Sequence, residues 1–190
     1  MLFVMALTAS TMPALGTQAP IFSLPDIVTG RTVSLDDVTG DKGVLVMFIC
    51  GHCPFVVHVQ SQLAQLGKNY RDSGVGIVAI CSNDEDVSPR DSLANLKAQA
   101  EQQGFVFPYL KDDSQDVAKA YDAACTPDFF LYNASRKLVY RGQLDGARPG
   151  NDVPVTGSDL RAAMDALISG KDVSENQTPA VGCNIKWRDS

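Results

Sequence analysis

Apolar residues along this chain fall into two kinds of run. Val44 to Ile49 and Val75 to Ile80 are continuous, as expected of strands covered on both faces. Between them Val56, Val59, Leu63, Leu66 and Tyr70 recur every three or four residues, which predicts one apolar stripe on a helix. Pro54 falls in the first turn of that helix, where its missing N–H costs nothing. Ile21 to Leu24 and Thr32 to Leu35 flank Thr29-Gly30 and predict a small hairpin. Ser88-Pro89-Arg90-Asp91 reads as a helix start, with Leu93, Leu96 and Ala100 on the inner face and Gly104 as the stop. A short strand at Phe107 to Leu110 follows, then a helix from Asp113-Ser114 to Tyr121. Phe129 to Tyr132 and Leu138 to Gly142 form a second predicted hairpin around Asn133-Ala134-Ser135. After a loop from Gln143 to Thr156, Ser158 is placed to cap a last helix carrying Leu160, Met164 and Leu167 and stopping at Gly170.

The order is β-α-β, inserted helices, then β-β-α. Strand–helix–strand units imply parallel pairing and the closing hairpin adds antiparallel strands. The expected class is α/β: a central mixed sheet flanked by helices, with an N-terminal hairpin. Residues 1–15 read as an irregular arm, 16–170 as one domain and 171–190 as a tail. In the tail Val181, Ile185 and Trp187 are apolar, which predicts docking back onto the domain. With 190 residues and 45% hydrophobic content the chain can bury one good core. A net charge of −6 argues against a nucleic-acid or anionic-membrane partner. No run of eighteen apolar residues predicts a spanning helix. The opening Met-Leu-Phe-Val-Met-Ala-Leu has no basic start and no small-residue cleavage site, so a secretory signal is not expected; Met5 is an equally good start. Five cysteines make an odd count for a disulfide scaffold and suit a cytoplasmic protein with working thiols.

Those thiols carry the candidate chemistry. Cys50-Gly51-His52-Cys53 sits at the end of one apolar run and the start of the helical stripe, the setting in which a C-x-x-C reads as a redox site. A helix N-terminus favours thiolate. No Asp or Glu lies from Lys42 through Arg71 to oppose ionisation, and His52 can donate positive charge. The expected division of labour has Cys50 at an exposed turn as the attacking thiol and Cys53, more buried, as the resolving one. A static disulfide is the plain competitor. Metal binding is another: the pair with Cys125, Cys183 or His58 would give four ligands, but a second paired set is missing, so no metal and no other cofactor is expected. Pro54 directly after Cys53 excludes a covalent haem motif. His58 reads as a packed or surface residue before a base, and Cys81 as a small buried hydrophobe. Arg148 either lines the cleft or is solvated. Cys125 and Cys183 are possible accessory thiols. Cys125-Thr126-Pro127-Asp128 holds either an ordinary turn or a cis proline.

A C-x-x-C at a strand-to-helix turn, a later Thr-Pro and a closing β-β-α together resemble the thioredoxin superfamily. Gly16-Thr17-x-Ala19-Pro20-x-Phe22-x-Leu24-Pro25-Asp26 narrows the resemblance to the redoxin and alkyl-hydroperoxide-reductase group. Phe48 to Val56, Ser82-Asn83-Asp84, Cys125 to Phe130 and Gly182-Cys183-Asn184-Ile185-Lys186-Trp187 are similar to its bacterial peroxiredoxin-like branch. The resemblance implies a thioredoxin-like fold with a cis Thr126–Pro127 bond. It makes Thr126 and Pro127, with Gly51, the substrate-binding element. It implies thiol–disulfide exchange with protein or small-molecule disulfides and an electron-donating dithiol partner. Cys-Gly-His-Cys is identical to the tetrapeptide of protein disulfide isomerases, near roughly −180 mV against about −270 mV for thioredoxin. Two departures matter. Aligning Cys53 with a peroxidatic thiol puts Val46 and Cys50 where that motif has Pro and Thr, so peroxide is at best a slow substrate. The buried acid that thioredoxins carry six residues before the first Cys is Val44 here.

Overall fold

The computed structural model describes residues 7–188. In chain order the elements are β1 (Leu7–Ala9), β2 (Ser23–Pro25), β3 (Thr32–Ser34), α1 (Leu35–Val38), β4 (Gly43–Phe48), α2 (Pro54–Asn69), β5 (Val75–Cys81), α3 (Leu93–Gln103), β6 (Tyr109–Lys111), α4 (Asp116–Ala120), β7 (Cys125–Thr126), β8 (Asp128–Asn133), β9 (Leu138–Gly142), α5 (Ser158–Ile168) and β10 (Val181–Asn184). A five-stranded sheet runs β6-β5-β4-β8-β9. β4, β5 and β6 are parallel, and β8 and β9 add antiparallel strands. A second sheet runs β1-β10-β7, and β2 and β3 form the expected hairpin.

The continuous apolar runs are the two middle strands because both faces of the sheet are covered. Every residue of β4 is buried. Its alternate side chains divide between two cores: Leu45 and Met47, with Ile49 just past the strand, join Val59 and Leu63 of α2 and Met164 of α5, whereas Val44, Val46 and Phe48 join Tyr121, Phe130 and Ile80. No helix among the described residues is long and apolar enough to cross a membrane.

Four local expectations are corrected. Ser88 does not cap a long helix: a single 3₁₀ turn (Pro89–Asp91) intervenes, and α3 starts at Leu93 under a Ser92 cap. The Ser88 hydroxyl is instead committed to Asp91, 2.8 Å away, and Leu93 is half exposed. α4 starts at Asp116 rather than Asp113, because Gln115 takes the left-handed N-cap position. Gly157, with φ 71°, caps α5, so Ser158 lies inside the helix. Residues 7–9, expected within an irregular arm, form β1, which pairs with the tail strand; the rest of that arm up to residue 6 lies outside the described residues.

Asp128 opens β8 beside Phe48, is completely buried, and its Oδ2 has no hydrogen-bond partner among the described residues. Burial pushes its carboxyl up to about 7, only partly offset by nearby backbone amides. An unfolded Asp titrates near 3.9. The native preference for the protonated form therefore stabilises fully below about pH 4 and is lost as pH rises through about 7. Asp128→Asn should gain on the wild type by about 2 to 3 kcal/mol between pH 5 and pH 8 in urea unfolding. A difference that stays flat across that range would show that Asp128 is already ionised at pH 5.

Candidate active site

β4 ends at Phe48, and the Ile49 amide still bonds to Ile80 O at 3.0 Å, so the strand delivers Cys50 at a fixed point. Gly51-His52 makes the turn. Cys53 is the N-cap of α2, and its carbonyl accepts from the Val56 and Val57 amides at 3.0 and 2.9 Å. The two thiols meet β7 at one residue. Cys50 Sγ shares a hydrogen bond with Thr126 Oγ1 at 3.3 Å, and Cys53 Sγ lies 3.3 Å from Thr126 O. The Thr126–Pro127 bond is cis. From the other side β10 brings Cys183 Sγ to 2.6 Å from Cys53 Sγ. All five cysteines are free thiols.

The expected exposure of Cys50 is corrected. Cys50 is 1% exposed and Cys53 is fully buried. The expected electrostatics are corrected as well. Asp91, completely buried, sends Oδ1 to the Gly51 amide at 2.8 Å. Its Oδ2 takes Asn83 Nδ2 at 2.7 Å, Ser88 Oγ at 2.8 Å and His52 Nδ1 at 2.7 Å. Burial alone would raise the Asp91 pKa, but these donors outweigh it and hold the carboxyl below its usual range. A carboxylate thus does stand beside the dithiol; it comes from forty positions downstream, outside the stretch around the motif that is free of acids. His52 faces this carboxylate, so its ring is committed to Asp91 instead of supporting a Cys50 thiolate.

The two thiols are consequently unequal. Burial pushes Cys50 well above the ordinary thiol range, and the Cys53 sulfur and the Asp91 charge push the same way. Hydrogen bonds from the Cys183 and Cys50 thiols hold Cys53 well below that range against the effect of burial, and the Val56 amide at the helix start adds to them. The Thr126 carbonyl, 3.3 Å from Cys53 Sγ, is placed to accept from the protonated thiol. These surroundings favour ionisation at Cys53 over Cys50.

The remaining candidates are distributed as follows. Cys125 precedes Thr126 on β7, so its side chain alternates away from the dithiol; it touches Pro127 O at 3.8 Å, and burial raises its pKa. Burial pushes Cys81 up to about 12, as suits a core residue. His58 is half-buried on α2, its Nε2 without a partner among the described residues. Arg148 folds back on its own loop, donating to Asp145 O, Ala147 O and Gln143 Oε1, and borders a small recess with Phe55 and Pro127. One metal-sized grouping occurs among the described residues: Cys50, His52 and Asp91 place a donor atom each within 4.8 Å of one another. It is not the ligand set weighed from the sequence, and both Asp91 oxygens already accept hydrogen bonds. Asp91, Asn83 and Gln99, which donates to Cys50 O at 3.2 Å, were not foreseen as site residues. Ser82-Asn83-Asp84 had stood out only as a shared motif.

A model of the AhpC/TSA family matches residues 15–141, from the hairpin through β9. The chain belongs to that family. The match takes in the dithiol, Asp91 and Thr126 but stops short of Cys183. Thiol-disulfide oxidoreductase ResA of Geobacillus thermodenitrificans is 30% identical over 131 residues, 69% of this chain and 70% of that one. The ResA protein of Bacillus thuringiensis is 27% identical over 125 residues, 66% of this chain and 67% of its own. The crystal structure of an uncharacterized conserved protein from Geobacillus kaustophilus is 53% identical with a TM-score of 0.96, covering 98% of each chain. A thioredoxin domain from Bacteroides vulgatus, at 23% identity and TM-score 0.58, covers 69% of this chain and 89% of its own; it shows that the fold is thioredoxin-like.

One thiolate should therefore survive in the reduced protein as pH is lowered from about 8 to about 5, seen as thiolate absorbance in the ultraviolet. Cys53→Ser should abolish that signal and Cys50→Ser should keep it. The reverse pattern would return the anion to Cys50.

Proposed function

We propose that this protein is a thiol–disulfide oxidoreductase working through a Cys50/Cys53 couple. The observation that carries the reading is the pair of thiols at a strand-to-helix turn, both against Thr126, with Cys53 at the N-cap of α2. The ResA relatives support the same class. The proposed roles rest on the surroundings of the two thiols. The Cys53 thiolate attacks a substrate disulfide, giving a mixed disulfide and releasing the first substrate thiolate, which takes a proton. Cys50 then loses its proton, attacks the Cys53 sulfur and expels the second substrate thiol. Two electrons pass to the substrate, with one proton from Cys50 and one from solvent, and the Cys50–Cys53 disulfide remains. A dithiol partner reverses the change. Thr126 orients both sulfurs, Pro127 and Gly51 border them, and His52 with Asp91 holds the turn in shape. Both sulfurs are buried, so the Gly51-His52 turn or the tail over β7 must move to admit substrate. The proposed compartment is the cytoplasm, where such couples act as reductants.

Peroxide is the second reading, favoured by the thiolate at Cys53 and opposed by Val46 and Cys50 in the places of the activating Pro and Thr. Insulin or a small aromatic disulfide should turn over faster than hydrogen peroxide under one common reductant. Cys53→Ser should lower disulfide turnover at least about a hundredfold. A rate constant with peroxide of about 10⁷ M⁻¹s⁻¹ or more would reverse the ranking.

A further inference from the structure

We propose that Cys183 is a third redox thiol, and that Cys53 passes its disulfide bond between Cys50 and Cys183. The proposal rests on the dithiol reading and names what that reading leaves out. Cys183 Sγ stands 2.6 Å from Cys53 Sγ, closer than two unbonded sulfurs ordinarily sit, and is 3% exposed. Cys53 is the shared neighbour: it interacts with the thiols of both Cys50 and Cys183.

The approach is built into the backbone. β10 pairs with β7 in antiparallel register, Cys183 opposite Thr126 and Asn184 opposite Cys125. On its other edge β1 pairs Leu7 with Cys183 and Ala9 with Val181. Gly182 is required for the strand to come down this far, because a Cβ there would meet Thr126 O at 2.0 Å. Both flanks are tied. The Ser10 amide bonds to Ala180 O at 2.8 Å, and past the strand the Lys186 amide bonds to Asn83 Oδ1 at 2.9 Å. Asn83 in turn holds Asp91, so the tail anchors to the same carboxylate network as the dithiol turn. Two sulfurs held at this separation react without the entropy loss of a bimolecular encounter.

The position has a second meaning. β10 occupies one edge of β7, the edge on which Cys183 meets Cys53. The tail thus stands where a substrate would stand, with its cysteine at the reacting place.

The step balances without an outside oxidant. Starting from the Cys50–Cys53 disulfide, Cys183 loses a proton and attacks the Cys53 sulfur. The Cys53–Cys183 bond forms, the Cys50–Cys53 bond breaks, and Cys50 takes up the proton. No electrons leave the protein. In a mixed disulfide on Cys53, the same attack by Cys183 expels the substrate thiol and resolves the complex in place of Cys50.

The test uses the full chain equilibrated in a glutathione redox buffer, alkylated, digested without reduction and mapped by mass spectrometry. Wild-type protein should yield Cys53–Cys183 peptides beside Cys50–Cys53 peptides. Cys50→Ser should form Cys53–Cys183 alone, losing two thiols on oxidation, and should turn over disulfides more slowly than wild type but measurably. Adding Cys183→Ser to it should trap the mixed disulfide and cut turnover a further hundredfold or so. Gly182→Ala, which keeps every thiol but lifts the strand, should lose the Cys53–Cys183 linkage and keep Cys50–Cys53. Cys50–Cys53 peptides with Cys183 wholly alkylated, in wild type and with no linkage in Cys50→Ser, would overturn the proposal and leave the dithiol function standing. The absence of any disulfide on Cys53 would overturn both.

Discussion

Thr126 is the point on which the site depends. Its hydroxyl reaches Cys50, its carbonyl faces Cys53, its Cα pairs with Cys183, and its carbonyl oxygen bars any side chain at residue 182. A two-residue strand would be a weak structural unit alone. Here it is held by β10 on one edge and continues, after one proline, into β8, which pairs with β4 along six residues. Pro127 therefore joins the small sheet to the large one. A shift of Thr126 by even a fraction of an ångström would alter three sulfur contacts together.

The second organising element is the Asp91 carboxylate. A buried charge without partners would cost several kcal/mol, and Asp91 meets that cost with four donors, among them the Gly51 amide inside the motif itself. Its negative charge raises the Cys50 pKa, while Cys53 sits at the N-cap of α2. Two chemically identical side chains three residues apart are driven in opposite directions, Cys50 up chiefly by burial and then by Cys53 and Asp91, Cys53 down chiefly by the Cys183 and Cys50 thiols. The polarity of the couple comes from this placement, not from the tetrapeptide.

What was legible in the chain follows from how far each signal travels. Val44 to Ile49 and Val75 to Ile80 read as two-faced strands because burial on both sides leaves no polar position to confuse the pattern. The α2 stripe and the C-x-x-C were legible because their partners lie within a helical turn or two. Asp91 was read as a helix-start acid, since nothing near it in sequence hints at a turn forty residues earlier. The 2.6 Å contact of Cys183 joins residues 130 apart, and no local window contains it. β1 was missed for a related reason: three residues with mixed exposure make a strand only because β10 offers an edge. The Ser88 cap failed because its hydroxyl had a stronger claimant in a buried carboxylate.

The burial of all five thiols has a consequence for timing. Cys81 and Cys125 are held protonated in the interior, far from reagents. Cys50, Cys53 and Cys183 lie at the edge of the main core, beside the glycine-containing turn and the short strand β10. A native molecule thus separates its sulfur chemistry from the bulk redox state of its surroundings, and reacts at the frequency with which that cover opens. Small oxidants meet a closed door most of the time. A partner able to hold the cover open gains access that concentration alone does not give, so selectivity is set by a local opening equilibrium as much as by the reactivity of any thiolate.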